Sequence, residues 1–259
     1  MIDRLVQHAD VIALEDARSG TNGRVTARRN RVALPAPVVK SGSMRADDGE
    51  DLLAGYVSGP AAATEATAVA LARAEGARAL VLVEGISDQI AVETLAGRRG
   101  RDLAAEGVVV LPTGGAHGVA RYLRRFGPEG TGTRLAGLCD AGEARIVARG
   151  LAAAGLGVHG SHAELARLGF FVCVEDLEDE LIRAAGLARV TEVFAAHGDL
   201  GAFRTIQRQP AWRGKDEAAQ LRRFLGAGAQ RKLRYARLLT EAIDLNRIPH
   251  PLAALLAAV

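Results

Sequence analysis

Residues 79–88 read Ala-Leu-Val-Leu-Val-Glu-Gly-Ile-Ser-Asp. The apolar run Ala79–Val83 stops at an acid and a glycine, and a second acid, Asp88, follows four residues after Glu84. Ile90, Ala91 and Val92 continue in helical spacing. A short apolar run bounded in this way is a buried strand, and Glu84-Gly85 is the turn at its carboxyl end. In an open α/β sheet that edge collects ligands and chemistry. Glu84 at a strand tip and Asp88 in a first helical turn can aim two carboxylates at one point, which suits Mg²⁺. A plainer reading has Asp88 favouring the helix N-terminus and Glu84 as a solvated turn residue.

Working outward, the same unit repeats. A helix over 61–74 precedes the first strand, and a helix over 87–95 follows it. Strand two spans 108–111 and ends in Pro112-Thr113-Gly114-Gly115-Ala116-His117-Gly118, with a helix over 119–126. Strand three, 134–139, ends in Asp140-Ala141-Gly142-Glu143, with a helix over 144–154. Ser161-His162-Ala163-Glu164 is a capping box. Strand four, 170–174, runs into the acids of 175–180 and a helix to 185. Wholly apolar strands alternating with helices predict a parallel sheet covered on both faces. Right-handed crossovers then place every strand's carboxyl end on one edge.

Three of the four strands end at acids: Glu84, Asp140 and the cluster Glu175–Glu180. Crowded carboxylates raise one another's pKa values, and a divalent cation relieves that repulsion. Two such ions form the clamp used for in-line attack on phosphodiesters.

The 259 residues suffice for one large or two modest domains. A hydrophobic share of 49% with 24% charged residues suits a soluble globular chain, expected in the cytoplasm. Charges interrupt every candidate membrane span, and Met1-Ile2-Asp3-Arg4 lacks the pattern of a signal peptide. Cys139 and Cys173 each sit in an apolar run and read as buried reduced thiols. From residue 181 onward thirteen Lys/Arg stand against six Asp/Glu, while the rest of the chain is net acidic. A basic tail beside an acidic centre fits a metal site working on a polyanion, and equally fits helices with solvated faces.

The two acid motifs, Val83-Glu84-Gly85-x-Ser87-Asp88 and Leu138-Cys139-Asp140-x-Gly142-Glu143, resemble the Toprim fold of primases, topoisomerases and small nucleases. The Ser87-Asp88 pair, the Glu178-centred cluster and the helical tail are most similar to the overcoming-lysogenization-defect (OLD) endonuclease branch. Residues from about 60 to 259 resemble stand-alone actinobacterial Toprim proteins without an ATPase domain. Arg101-Asp102-Leu103-Ala104-Ala105-Glu106-Gly107 and Phe203-Arg204-Thr205-x-Gln207-Arg208-Gln209-Pro210 carry that closer likeness, as does Arg231-Lys232-x-x-Tyr235-Ala236-Arg237. The resemblance implies an α/β Toprim-like parallel sheet of about four strands with helices on both faces, followed by a C-terminal helical extension. It divides the chain into a poorly ordered or peripheral extension (1–60), a Toprim domain (61–188) and a basic helical region (189–259).

The resemblance also implies metal-dependent phosphoryl transfer with Mg²⁺ or Mn²⁺, most naturally DNA nicking or cleavage by a metal-activated water. By that analogy Glu84 and Asp88 hold one metal, Asp140 and Glu143 help hold a second, and Glu178 completes the acid set. Glu84 and Lys232 are the catalytic candidates, with Lys232 stabilising charge on the phosphate. Arg204, Arg208, Arg213 and Arg231 are the nucleic-acid-binding candidates. DNA is the expected partner and membranes are not, with room for a separate ATPase and for a second copy of the chain. Two departures stand out. The family's Asp-x-Asp is Asp140-x-Gly142 here, and the P-loop pattern G-x-x-x-x-G-K-[ST] does not occur in the sequence. The first departure keeps two alternatives open: a catalytically decayed nucleic-acid-binding Toprim module, or a nucleotidyl transferase.

The remaining motifs are weaker. The glycine loop 113–118 could cradle a phosphate but reads more simply as a tight turn, and His117 is the one histidine worth testing. His159 and His162 read as surface or cap residues. Residues 1–14 carry helical then strand-like spacing, and the first 13 resemble the tail of a transposon ATPase helper, which suggests a scar of gene rearrangement or a misplaced start, not a working part. Leu221, Phe224, Leu225, Leu233, Leu238 and Leu239 should pack the tail onto the sheet.

Overall fold

The computed structural model describes residues 51–157 and 160–259. The spacing read over residues 1–14, most of the 1–60 extension and His159 lie outside the described residues.

The four apolar runs form β1 (Ala79–Val83), β2 (Val108–Pro112), β3 (Arg134–Cys139) and β4 (Phe170–Val172). All pairings are parallel, in the order β2-β1-β3-β4. Every residue of β1 is buried, as expected of a strand covered on both faces. Its side chains alternate between two cores: Ala79, Val81 and Val83 face one, Leu80 and Leu82 the other. On β3 a Cβ at Gly137 would come within 2.6 Å of the Phe170 ring, so glycine lets the neighbouring strand lie close.

The helices are α1 (Ala62–Ala74), α2 (Ile86–Arg98), α3 (Val119–Phe126), α4 (Ala144–Ala153), α5 (His162–Arg167) and α6 (Leu177–Ala185). The tail adds α7 (Leu187–Ala196), α8 (Leu200–Arg208), α9 (Glu217–Leu225), α10 (Ala229–Ala242) and α11 (His250–Ala257). Leu80 and Leu82 pack with Ala70 of α1, Leu123 of α3 and Leu151 of α4. Val81 and Val83 pack with Val92 of α2, Leu239 of α10 and Leu255 of α11. The fold is therefore an α/β parallel sheet of four strands with a C-terminal run of helices, as the sequence leads one to expect.

β4 departs from expectation at its end. The apolar run suggests a strand reaching Val174, but pairing stops at Val172. Val174 is 63% exposed, and its N–H donates to Glu180 Oε1 at 2.8 Å. A side chain has replaced the neighbouring strand as acceptor.

The tail is fixed by aromatic packing and by arginines. Phe194, Phe203, Phe224 and Tyr235 form one cluster, with Phe194 and Phe224 centroids 4.7 Å apart. Each such pair contributes about 0.5–1.5 kcal/mol beyond burial of its area. Leu221, Leu225, Leu238 and Leu239 are buried with them, and Leu233 is partly buried. The charged connection after α2 is a fastening point. Arg98 Nη1 donates to the carbonyls of Thr240 and Ile243, both at 2.7 Å, and Arg101 donates to those of Leu256 and Val259.

Residues 51–60, grouped by sequence with the extension, pack on the helices. Leu52 is buried, and its carbonyl accepts from Arg237 Nη1 at 2.8 Å. Tyr56 OH donates to Glu93 Oε2 at 2.7 Å; burial, then the Glu93 charge, raises the phenol's pKa. Among the described residues no helix is long and apolar enough to cross a membrane.

Candidate functional site

From β1 the sheet extends to β2 on one side and to β3 on the other. That reversal opens a crevice outside the carboxyl ends of β1 and β3. Glu84 directly follows β1 and Asp140 directly follows β3. The edge predicted from the sequence to gather acids is therefore the topological switch point of the sheet.

Asp88 enters from the first turn of α2. Its Oδ2 accepts the Gly85 N–H at 2.8 Å, so the plainer role of helix stabiliser and the site role coexist. Asp88 is buried, and burial pushes its carboxyl up to about 7. The Gly85 bond and Lys232 oppose that rise, while Glu178 and Glu84 add to it.

Asp140 is also pushed up to about 7, by burial first and then by the charges of Asp88, Glu84, Asp176 and Glu178. Its loop is tied to the next strand end through Ala141 N–H donating to the Glu175 carbonyl at 3.0 Å. Glu143 reaches about 7 through burial, a hydrogen bond shared with Glu84, and the Glu84 and Asp140 charges. Glu143 Oε2 is buried and meets no hydrogen-bond partner. Two carboxyls in contact need a proton or a cation between them.

The cluster at 175–180 divides by helical phase. Asp176 caps α6 by accepting the Asp179 N–H at 2.8 Å, and pairs with Arg222. Asp179 pairs with Arg183 at 2.7 Å. Glu180 is buried, accepting from Val174 and pairing with Arg183. Glu178 reaches the tail, where its Oε1 stands 3.3 Å from Lys232 Nζ, and both Asp176 and Glu178 bear on Asp140 by charge. Burial disfavours the Lys232 charge, yet Glu178, Asp88 and Asp140 together raise its pKa.

A cleft of about 270 Å³ opens here, lined among others by Glu84, Asp88, Gly114, Gly115 and Lys232. Asp140, Glu143 and Glu178 are coupled to these groups by charge but are not among the lining residues. The glycine loop, read from sequence mainly as a turn, is one, and its Gly114 and Gly115 line the cleft. Gly115 N–H donates to the Glu84 carbonyl at 3.1 Å, and a Cβ at Gly118 would meet the Thr113 carbonyl oxygen at 2.2 Å. Ala63 and Ile86 also line the cleft, and no polar motif could have announced them. His117 is exposed and does not line the cleft. Burial pushes the Cys139 thiol up to about 12 and raises Cys173 further, so neither is poised as a thiolate.

Among the described residues no three His, Cys, Asp or Glu side chains form a ready-made metal cage. The donor set nevertheless fits a hard cation. It consists of carboxylate oxygens, it carries more negative charge than Lys232 neutralises, and it includes the orphaned Glu143 Oε2. Mg²⁺ in phosphoryl-transfer sites typically takes one or two carboxylates, with waters and substrate phosphates completing its shell.

The arginine candidates are dispersed. Arg204 and Arg208 on α8, and Arg213 beyond it, are exposed and do not line the acid cleft. Arg231 lies over the Phe224 ring, 4.2 Å from its centroid.

Residues 77–141 match the family model described as overcoming lysogenization defect protein-like, TOPRIM domain. The chain is similar in structure to the C-terminal region of the Xanthomonas campestris pv. campestris OLD protein, in a structure phased with platinum. That likeness has a TM-score of 0.56 at 22% identity, over 72% of this chain and 94% of that one. A second structure of the same region, phased with mercury, gives 0.53 at 25% identity, over 70% and 94%. The C-terminal region of the Burkholderia pseudomallei OLD protein gives 0.52 at 19%, over 70% and 96%. No curated protein matches the chain. Family match, sheet order and acid-bearing strand ends agree, and residues 77–141 carry a TOPRIM domain of the OLD-like type.

Proposed function

We propose that this chain is a Mg²⁺- or Mn²⁺-dependent phosphoryl-transfer enzyme that nicks or cleaves DNA. The observation that carries the reading is the convergence of Glu84, Asp88, Asp140, Glu143 and Glu178, around Lys232, at the β1/β3 switch point.

Glu84 and Asp88, with Asp140 and Glu143, are the residues that would hold the cation. A divalent ion there supplies Lewis-acid stabilisation of phosphoryl oxygens and lowers the pKa of water. The protein's own groups do the rest. The Gly85 N–H fixes one oxygen of Asp88. Glu178 keeps Lys232 charged and positioned. From the cleft wall the ammonium meets the negative charge that builds on a phosphate in the transition state. The exposed arginines of the tail give a backbone its sequence-independent hold.

The test is plasmid nicking by the purified chain in Mg²⁺, Mn²⁺ and Ca²⁺, beside Glu84→Gln and Asp140→Asn. Nicking in Mg²⁺ or Mn²⁺ that both substitutions abolish supports the proposal; equal nicking by the variants overturns the site. Gly142, which offers no carboxylate beside Asp140, favours a second reading as a nucleic-acid-binding module without catalysis. In that case DNA binding persists, falls steeply with salt, and no divalent ion elicits cleavage.

A further inference from the structure

A second cavity, of about 310 Å³, opens at the start of α10, lined by Leu53, Asp199, Gln230, Arg231 and Arg234. Its charges are arranged unevenly. One oxygen of Asp199, Oδ2, is paired with Arg234 and accepts Tyr235 OH at 2.8 Å. Among the described residues no carboxylate pairs with Arg231. Its guanidinium carbon lies 4.2 Å from the Phe224 ring centroid and its Nη1 donates to the Phe224 carbonyl at 3.4 Å, which leaves its other donors available. Arg234 Nε is buried and meets no acceptor. Buried cationic donors are normally matched, so an unmatched one marks a place for an acceptor. Gly228, at the N-cap of α10, offers no side chain to cap that helix.

Two guanidinium groups and a neutral amide lining one cavity suit a phosphoryl oxyanion, which accepts from several donors at once. The next residue along α10, Lys232, lines the acid cleft. The two cavities therefore flank the first turn of one helix. A strand with one phosphate at the acids carries its neighbouring phosphates past Arg231.

We propose that this cavity is a phosphate subsite, with Arg231, Arg234 and Gln230 holding the nucleic-acid backbone beside the reacting phosphate. The occupant's identity as a strand rests on the nucleic-acid reading above; the phosphate chemistry does not.

The test uses the full chain, with Arg231→Ala, Arg231→Lys and, as a control on the exposed surface of α4, Arg149→Ala. A fluorescent single-stranded oligonucleotide is titrated in Ca²⁺ across a salt series. In parallel, inorganic phosphate is titrated against thermal unfolding. Arg231→Ala is expected to weaken oligonucleotide binding about tenfold and to reduce the salt slope by about one. Arg231→Lys should retain the slope with weaker binding, which separates lost contact from lost fold. Phosphate should stabilise the wild type and Arg149→Ala but not Arg231→Ala. If oligonucleotide binding and its salt slope survive Arg231→Ala while nicking persists, the subsite is overturned and the nuclease reading stands. If the wild type binds no oligonucleotide, occupancy by a strand is overturned together with the nucleic-acid reading, and an Arg231-dependent phosphate effect would then identify free phosphate as the ligand.

Discussion

Lys232 Nζ stands 3.3 Å from Glu178 Oε1, joining the first turn of α10 to the first turn of α6 across the switch point. Through this pair the helical tail takes part in the site at the sheet edge. Asp88 and Asp140 also raise the lysine's pKa, so one ammonium answers several carboxylates.

Replacing Lys232 with Met removes that cation. Nicking should fall at least about a hundredfold, the scale of losing a donor to transition-state charge. DNA binding should fall far less, since one phosphate contact among many is lost. The folded protein should lose stability at pH 8 more than at pH 6, because Asp88, Asp140 and Glu143, pushed up to about 7, are more fully charged at the higher pH. Equal loss of binding and of nicking would assign Lys232 to binding alone.

Asp88, Asp140 and Glu143 all titrate near pH 7 in the fold, well above ordinary carboxyls. The folded state therefore holds more protons than the unfolded chain between about pH 4 and 7, and stability falls as pH rises through that window. In the absence of divalent ions, Tm should be lower at pH 8 than at pH 5.5 by roughly 3–10 °C. Mg²⁺ should restore most of the difference at pH 8 and little at pH 5.5, because protons and cation compete for the same oxygens. Thermal melts with and without EDTA check both arms.

Two glycines at the site edge should respond in opposite ways. At Gly118 a Cβ would meet the Thr113 carbonyl oxygen at 2.2 Å, so Gly118→Ala must displace the glycine loop. The expected cost is about 2 kcal/mol or more, with impaired nicking. At Gly142 a Cβ meets nothing within 4 Å, so Gly142→Asp should fold normally. It adds a carboxylate beside Asp140 and should tighten Mn²⁺ binding, read by isothermal titration. Unchanged affinity in a folded Gly142→Asp would mean that the site does not extend to that position.

Tyr56→Phe deletes the hydrogen bond to Glu93 and keeps the ring. A loss of about 1–3 kcal/mol is expected, since a buried carboxylate loses a donor. Proteolysis should then cut residues 51–60 sooner while α2 stays protected. Unchanged stability and cleavage would show that the bond contributes nothing to holding this segment.

How far the sequence could be read follows from where each signal is local. β1 was legible because a short continuous run of Ala, Leu and Val suits a doubly covered strand, and β3 because its apolar run ends at Asp140 in the same way. The end of β4 was misread because Val174 is apolar yet takes a side-chain partner in Glu180. The acids at the strand ends were legible through topology, since a parallel sheet sends every carboxyl end to one edge. Within 175–180 the resemblance named Glu178, whereas the residue pattern alone could not choose among these acids, because helical phase and distant partners such as Arg222 and Lys232 decide it. That Arg98 and Arg101 fasten the tail was not legible either, since their acceptors lie at the far end of the sequence. Arg231 was named from the sequence as a nucleic-acid-binding candidate, but its seat on Phe224 and its cavity were not legible, since both depend on how α9 meets α10.

The central claim is that acids distant in sequence share a divalent cation at the β1/β3 switch point. Mn²⁺ binding followed by electron paramagnetic resonance, with wild type, Glu84→Gln and Asp140→Asn compared at pH 8, tests it most directly. The account predicts saturable binding by the wild type and at least tenfold weaker binding by each variant. Wild-type affinity in both folded variants, or no saturable Mn²⁺ binding by the wild type, would contradict it.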